Sequence, residues 1–228
     1  MSQVEIVKVP TRILTDKDDI VEAIDKFAAK VGGVGPDDVV SVAESVVAVT
    51  QGMAVRPEDL KISVWARIFC RVFPDIGSLS TPHGLQALFD VEGTWRVIGS
   101  LAIGLLAMPF KRGVFYELAG YQAALIDDVT GTMPPFDKHV VYGPKEPQRV
   151  VEAIRNHFGC YGAMIADAND LHRCRVVGAS KGLEADEAAK LLLDNPFGNA
   201  SQKVPVVIIR DFGRYIKSKQ NLEKPFGQ

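Results

Sequence analysis

The sequence predicts an α+β fold, with mixed or antiparallel sheets and packed helices, and three observations carry that expectation. Short apolar runs bounded by Gly, Pro, Asn or Asp recur at 39–43, 162–166 and 204–209 and read as strands. Helical periodicity appears over 20–31 and 150–158. The two kinds of segment follow one another without a strict strand–helix–strand rhythm, which sets α+β above a doubly wound parallel sheet.

Bulk properties bound the possibilities. The 228 residues are expected to form a single domain over 1–228. A net charge of −2 gives no basic footprint, so no nucleic-acid partner is expected. Cys70, Cys160 and Cys174 stand far apart with no CxxC, the usage of a cytoplasmic protein with reduced, buried or half-buried thiols. The first residues lack a charged segment leading into an apolar one, so no secretory signal is read there. The most apolar window, Val97 to Phe110, is shorter than the ~20 residues that cross a bilayer. It is therefore expected as a buried core helix, and no membrane partner is expected.

Taken in order, Val4 to Val9 alternates as a strand. Thr15 and Asp18 form a capping-box-like pair ahead of a helix carrying Ile20, Ile24, Phe27 and Val31, which Gly32-Gly33 ends. Val39 to Ala43 is a buried strand. Residues 44–52 mix β-branched and small side chains and fit a strand end, a loop or a short helix. Pro57-Glu58-Asp59 opens a helix with an apolar stripe of Val64, Trp65, Ile68, Phe69 and Val72. Arg67 and Arg71 share a second face of it. A turn-rich stretch around His83 leads to a short helix at 85–89, and the helix from Trp95 to Met108 is apolar nearly all round.

Val114 to Leu118 and Ala119 to Asp128 read as two β segments, the second ending on carboxylates. His139 to Tyr142 is a short strand, and a helix from Pro147 stops at Gly159. Ala185 to Leu193 is a helix, 204–209 the last core strand, and the polar tail from Lys217 is expected to fray.

The chain carries no GxxxxGK[ST], GxSxG, HExxH or GxGxxG motif in a productive context. Its most suggestive stretch is Gly162 to Gly178, where an apolar run ends on Asp167-Ala168-Asn169-Asp170 before a second run begins. With Asp127-Asp128 this makes two acidic strand exits. Hard divalent cations take oxygen ligands, and Mg²⁺ or Mn²⁺ commonly uses one or two carboxylates plus phosphate oxygens. Asp and Asn at strand exits also serve simply as turn formers.

Several segments together resemble one family, the coenzyme F420 gamma-glutamyl ligases. Residues 161–178 (YGAMIADANDLHRCRVVG) resemble the segment where a strand runs into Asp-Thr-x-Gly-Arg and then Val-Val-Gly. Residues 123–127 (AALID) are similar to Ala-Gly-Ile-Asp, and 12–20 (RILTDKDDI) to a leader ending in Gly-Asp-Asp-Leu. Residues 39–52 parallel a strand followed by Ser-Lys-x-Glu-Gly, and 184–210 the last helix and strand. The order agrees over about two-thirds of the chain; the helical region from about 57 to 112 diverges.

The resemblance implies a gamma-glutamyl-ligase-like α+β fold that forms a homodimer through an intertwined sheet. It implies a ligase that uses GTP (or ATP) and Mg²⁺ or Mn²⁺ to add L-glutamate, by a γ-linkage, to a phosphate-bearing deazaflavin coenzyme. In that chemistry an acceptor carboxylate becomes an acyl phosphate, which the glutamate amine attacks. Asp127 and Asp167 would be the metal ligands. Asp18, Asp19, Ser45, Gln51, Gly52 and Asn169 would bind nucleotide or substrate. The chain departs from the family pattern at Ala168 (Thr), Asp170 (Gly), Leu171 (Arg), Val49 (Lys) and Gln51 (Glu). A Lys and an Arg suited to phosphate are thus replaced. Besides a ligase acting on some acidic acceptor, two other readings follow. One is a non-catalytic binding or regulatory relative; the other is a metal-dependent phosphohydrolase using the same carboxylates.

Overall fold

The computed structural model describes residues 4–74, 77–128, 134–198 and 202–223. The strands are β1 (Glu5–Val9), β2 (Val39–Ala43), β3 (Ala54–Val55), β4 (Asp127–Asp128), β5 (Val140–Val141), β6 (Gly162–Asn169), β7 (Arg173–Ala179) and β8 (Val206–Arg210). The helices are α1 (Ile20–Ala28), α2 (Glu44–Thr50), α3 (Val64–Phe69), α4 (Pro82–Glu92), α5 (Thr94–Ala107), α6 (Val114–Ala119), α7 (Pro147–Phe158), α8 (Ala185–Lys190) and α9 (Phe212–Glu223). The chain divides into two compact units: residues 1–51 with 144–228, and residues 52–143. The region expected to diverge, about 57–112, lies within the second unit.

The first unit is built on a mixed five-stranded sheet of order β1-β8-β2-β6-β7. β2 and β6 run parallel; the other neighbours are antiparallel. Alternation along the strands sends side chains to two apolar layers. Val40, Val42, Ala163, Ile165 and Ile208 pack with α1 and α7, through Ile24, Phe27, Val151 and Ile154. Val39, Met164, Ala166, Val207 and Ile209 pack on the other face with α8 and α9, through Ala188, Phe212 and Ile216. Both faces of β2 and β8 are therefore buried, which is why these strands read as continuous Val/Ile runs instead of alternating ones.

An ion-pair network ties the ends of this unit. Arg210 donates to the Asp38 carboxylate at 2.6 Å and to the Val31 carbonyl at 2.9 Å. Asp38 also accepts from the backbone N–H groups of Gly35 and Asp211. The N-cap of α1 is Asp19, not Thr15: its carboxylate accepts from Val21 and Glu22 at 2.8 and 3.0 Å. Asp18 instead folds back onto the Thr15 N–H at 2.8 Å and pairs with Arg12. Residues 44–50 are helical. The tail expected to fray from Lys217 is helical to Glu223, because Phe212 and Ile216 anchor α9 in the core and Lys219 reaches Glu187 at 2.5 Å.

The second unit holds a small sheet of order β3-β5-β4 and the helices α3 to α6. Pro57–Asp59 forms one 3₁₀ turn, and α3 starts later, capped by Ser63, whose hydroxyl accepts from the Ala66 N–H at 3.1 Å. Thr81 caps α4, which places His83 in a first helical turn and not in a loop. Val114 to Leu118, expected as a strand, is helical. Its aromatic and β-branched residues favour strands, but packing overrides that preference: Phe115 is buried against Gly104 of α5, where an added Cβ would meet the Phe115 Cβ at 2.9 Å. Phe115 also meets the Phe73 ring edge-on, with centroids 5.1 Å apart.

α5 corrects a second expectation. The helix forms as expected, but it is not enclosed. Val97, Ser100 and Leu101 are buried, while Trp95 is 72% and Leu106 78% exposed. The apolar stripe read on α3 faces outward too, with Ala66 and Cys70 as the buried residues there. Among the described residues no helix is long and apolar enough to cross a membrane.

Candidate functional site

β2 and β6 are parallel, and β2 ends at Ala43 beside Ala166, while β6 runs on through Asp167 to Asn169. The next residues along are Glu44 and Asp167. Ligands gather at the carboxyl ends of parallel strands, where side chains leave a rigid sheet and converge. β7 returns antiparallel and sets Arg175 opposite Asp167. One guanidinium nitrogen of Arg175 stands 3.4 Å from the Glu44 carboxylate and 3.5 Å from that of Asp167.

A bulge between Ile165 and Ala166 lets β6 and β7 keep these groups on one face. Ile165 and Val177 pack in the layer with α1 and α7, and Asp167 and Arg175 share their alternation. Ala168 and Cys174 belong to the opposite layer. There burial, followed by the Asp167 charge, pushes the Cys174 thiol up to about 11, so it is protonated and not a nucleophile at neutral pH. Glu44 is nearly buried, whereas the side chains of Asp167 and Arg175 are 46% and 44% exposed. The arrangement is an open-sided group of two carboxylates around one guanidinium.

The remaining expected site residues have local duties. Asn169 accepts from the Leu171 N–H at 3.0 Å and closes the hairpin turn between β6 and β7, completed by His172 at φ 54°. Asp170 accepts from the Asn195 amide at 2.6 Å. Ser45 is half-buried in the first turn of α2, next to Glu44. Gln51 clamps the Lys145 backbone with both ends of its amide, at 2.9 and 2.6 Å. Gly52 is exposed at φ 69°. Asp18 and Asp19 lie between β1 and α1, with their carboxylates engaged as described above. Their carboxylates bond Arg12, Thr15 and the first turn of α1.

Asp127 belongs to the second unit, where it opens β4 instead of ending a strand, and its carboxylate accepts from the Ser78 hydroxyl at 3.3 Å. Asp167 belongs to the first unit. Among the described residues no cluster of three or more His, Cys, Asp or Glu side chains is placed to hold a metal. Glu44 and Asp167 do fit the donor chemistry of a two-carboxylate site completed by phosphate oxygens. In this structure Arg175 supplies the positive charge between them.

Two members of the group, Glu44 and Arg175, were not singled out from sequence. Glu44 and Arg175 are 131 residues apart in the chain and meet only through the sheet. The one local signal for Glu44 was an acid following directly on a buried strand. No protein-family model matches the chain, and comparison with curated proteins finds no match.

Proposed function

We propose that the chain is a metal-dependent, nucleotide-using ligase-like protein that joins L-glutamate to an acidic acceptor through an acyl phosphate. The observation that supports this most is the convergence of Glu44, just past the end of β2, with Asp167 and Arg175, paired across β6 and β7. In this reading Glu44 and Asp167 would hold Mg²⁺ or Mn²⁺. The cation supplies charge neutralisation for the transferring phosphoryl group. Arg175, which now lies against both carboxylates, would offer its planar fork to a phosphate oxygen. It takes over the role of the arginine that Leu171 replaces. Ser45 lies beside the site. The Gln51 and Asn169 side chains hold the surrounding backbone in place, so they shape the site more than they touch a ligand. GTP is the nucleotide that the family resemblance favours, and a homodimer is the assembly it favours.

Calorimetry with GTP and ATP, each with and without Mn²⁺, tests the proposal. Metal-dependent nucleotide binding that Asp167→Asn abolishes and Glu44→Gln weakens is the expected result. Absence of metal-dependent binding to either nucleotide would overturn it.

A second reading draws on the same group. Arg175 already neutralises both carboxylates, as a purely structural ion triad would, which favours a binding or regulatory protein without ligase chemistry. Nucleotide binding unaffected by metal, together with a stability loss in Arg175→Met, is the outcome that selects it.

A further inference from the structure

The outward faces of α3 and α5 form one continuous apolar surface. Trp65 and Trp95 touch, with ring centroids 5.9 Å apart, and join the two helices. Ile68 extends the surface along α3, while Ile103, Leu106 and Phe110 extend it along α5 and its end. Phe110 is 92% exposed. Together these exposed side chains make a patch at least as large as the ~300–600 Å² of the largest patch on an ordinary monomer, the size that marks an interaction surface.

Charge says what covers it. Residues 60–74 and 93–116 contain Lys61, Arg67, Arg71, Arg96, Lys111 and Arg112, and no Asp or Glu. Arg96 and Lys111 are paired with Glu92 and Glu117. The side chains of Arg67, Arg71 and Arg112 are exposed and make no hydrogen bond or ion pair among the described residues. A second copy docked here would bring these unpaired arginines, of α3 and of the segments after α3 and α5, close to their own copies. A bilayer bearing anionic lipids offers hydrocarbon to the Trp, Leu, Ile and Phe side chains and phosphate to the arginines on the same two segments.

We propose that the α3–α5 face of the second unit docks on the surface of an anionic lipid bilayer, in the interface and without spanning it. This departs from the sequence expectation of no membrane partner, which rested on span length alone. It does not depend on the nucleotide chemistry proposed above, since it uses none of those residues.

Flotation of the full chain with vesicles of phosphatidylcholine, or of an equal mixture of phosphatidylcholine and phosphatidylglycerol, tests it. The chain's two tryptophans both lie on this face, so intrinsic fluorescence reports the contact directly. Flotation with the mixed vesicles and a blue shift of emission are expected, both weakened by salt. Leu106→Asp with Phe110→Ser, at exposed positions, is expected to weaken partitioning at least ~10-fold. Arg67→Gln with Arg71→Gln and Arg112→Gln is expected to weaken it about 100-fold on the mixed vesicles alone. Failure to float at low salt, or equal binding to both vesicles, would overturn the proposal. So would dimerisation without vesicles that Leu106→Asp abolishes, since that assigns the face to a second copy.

Discussion

The two units treat apolar side chains in opposite ways. The sheet unit encloses them between two helical layers, and Val39, Val40, Val42, Ile165, Ile208 and Ile209 are all fully buried. The helical unit contains the most apolar stretch of the sequence and leaves much of it outside, on α3 and α5. The difference teaches that hydrophobicity fixes which residues leave water only when a neighbour exists to cover them. A strand in the middle of a sheet has two neighbouring layers by construction; a helix at the surface of a small bundle has one.

The largest test of this contrast concerns the ion pair that anchors the sheet unit. Asp38→Ala leaves Arg210 and the backbone N–H groups of Gly35 and Asp211 without their acceptor. A loss of about 3–5 kcal/mol is expected, read by urea unfolding. Within the helical unit, Leu88→Ala, at a fully buried position, is expected to cost about 2–5 kcal/mol. Leu106→Ala on the neighbouring helix, at 78% exposure, is expected to stay within about 0.5 kcal/mol. Equal effects for the two leucines would erase the distinction between covered and uncovered apolar faces.

A smaller effect is expected from acid. The hydrogen bond from Arg12, with help from the Thr15 backbone, lowers the Asp18 carboxyl to about 2. A depressed carboxyl contributes stability that is complete above its unfolded value near pH 4 and is lost as pH falls through the folded value. Melting temperature should therefore drop between about pH 4 and pH 2, and Asp18→Asn should flatten that part of the profile. The smallest effect is chemical. Burial raises the Cys160 and Cys174 thiols to about 11. Alkylation of both by iodoacetamide at neutral pH should be slow in the folded chain and fast in urea.

Much of the sheet unit was legible in the sequence, for a physical reason. Val39 to Ala43 and Gly162 to Ala166 are apolar runs punctuated by Gly and Asp, and α7 shows one apolar stripe closed by Gly159 in the left-handed region at φ 58°. Such signals are local. The helical unit was less legible because its outcomes are decided at a distance. Val114 to Leu118 carries a strand-forming composition, and only the close approach allowed by Gly104 explains its helix. The candidate site was half legible. Asp167 stands out as the acid that ends an apolar run, although β6 continues past it to Asn169. Glu44 and Arg175 acquire meaning only once β2, β6 and β7 are paired.

The chain order of the two units has a consequence for synthesis. β2 leaves the ribosome early, yet its sheet neighbours β6 and β8 lie beyond residues 52–143. The whole second unit is therefore translated before Val39, Val40 and Val42 have strands to pair with, whereas that unit can close as soon as it emerges. The nascent chain carries a naked Val-rich segment through that interval. The late, long-range pairing of β2 is the step at which aggregation competes with folding, and a chaperone that binds short extended apolar segments has its natural target there.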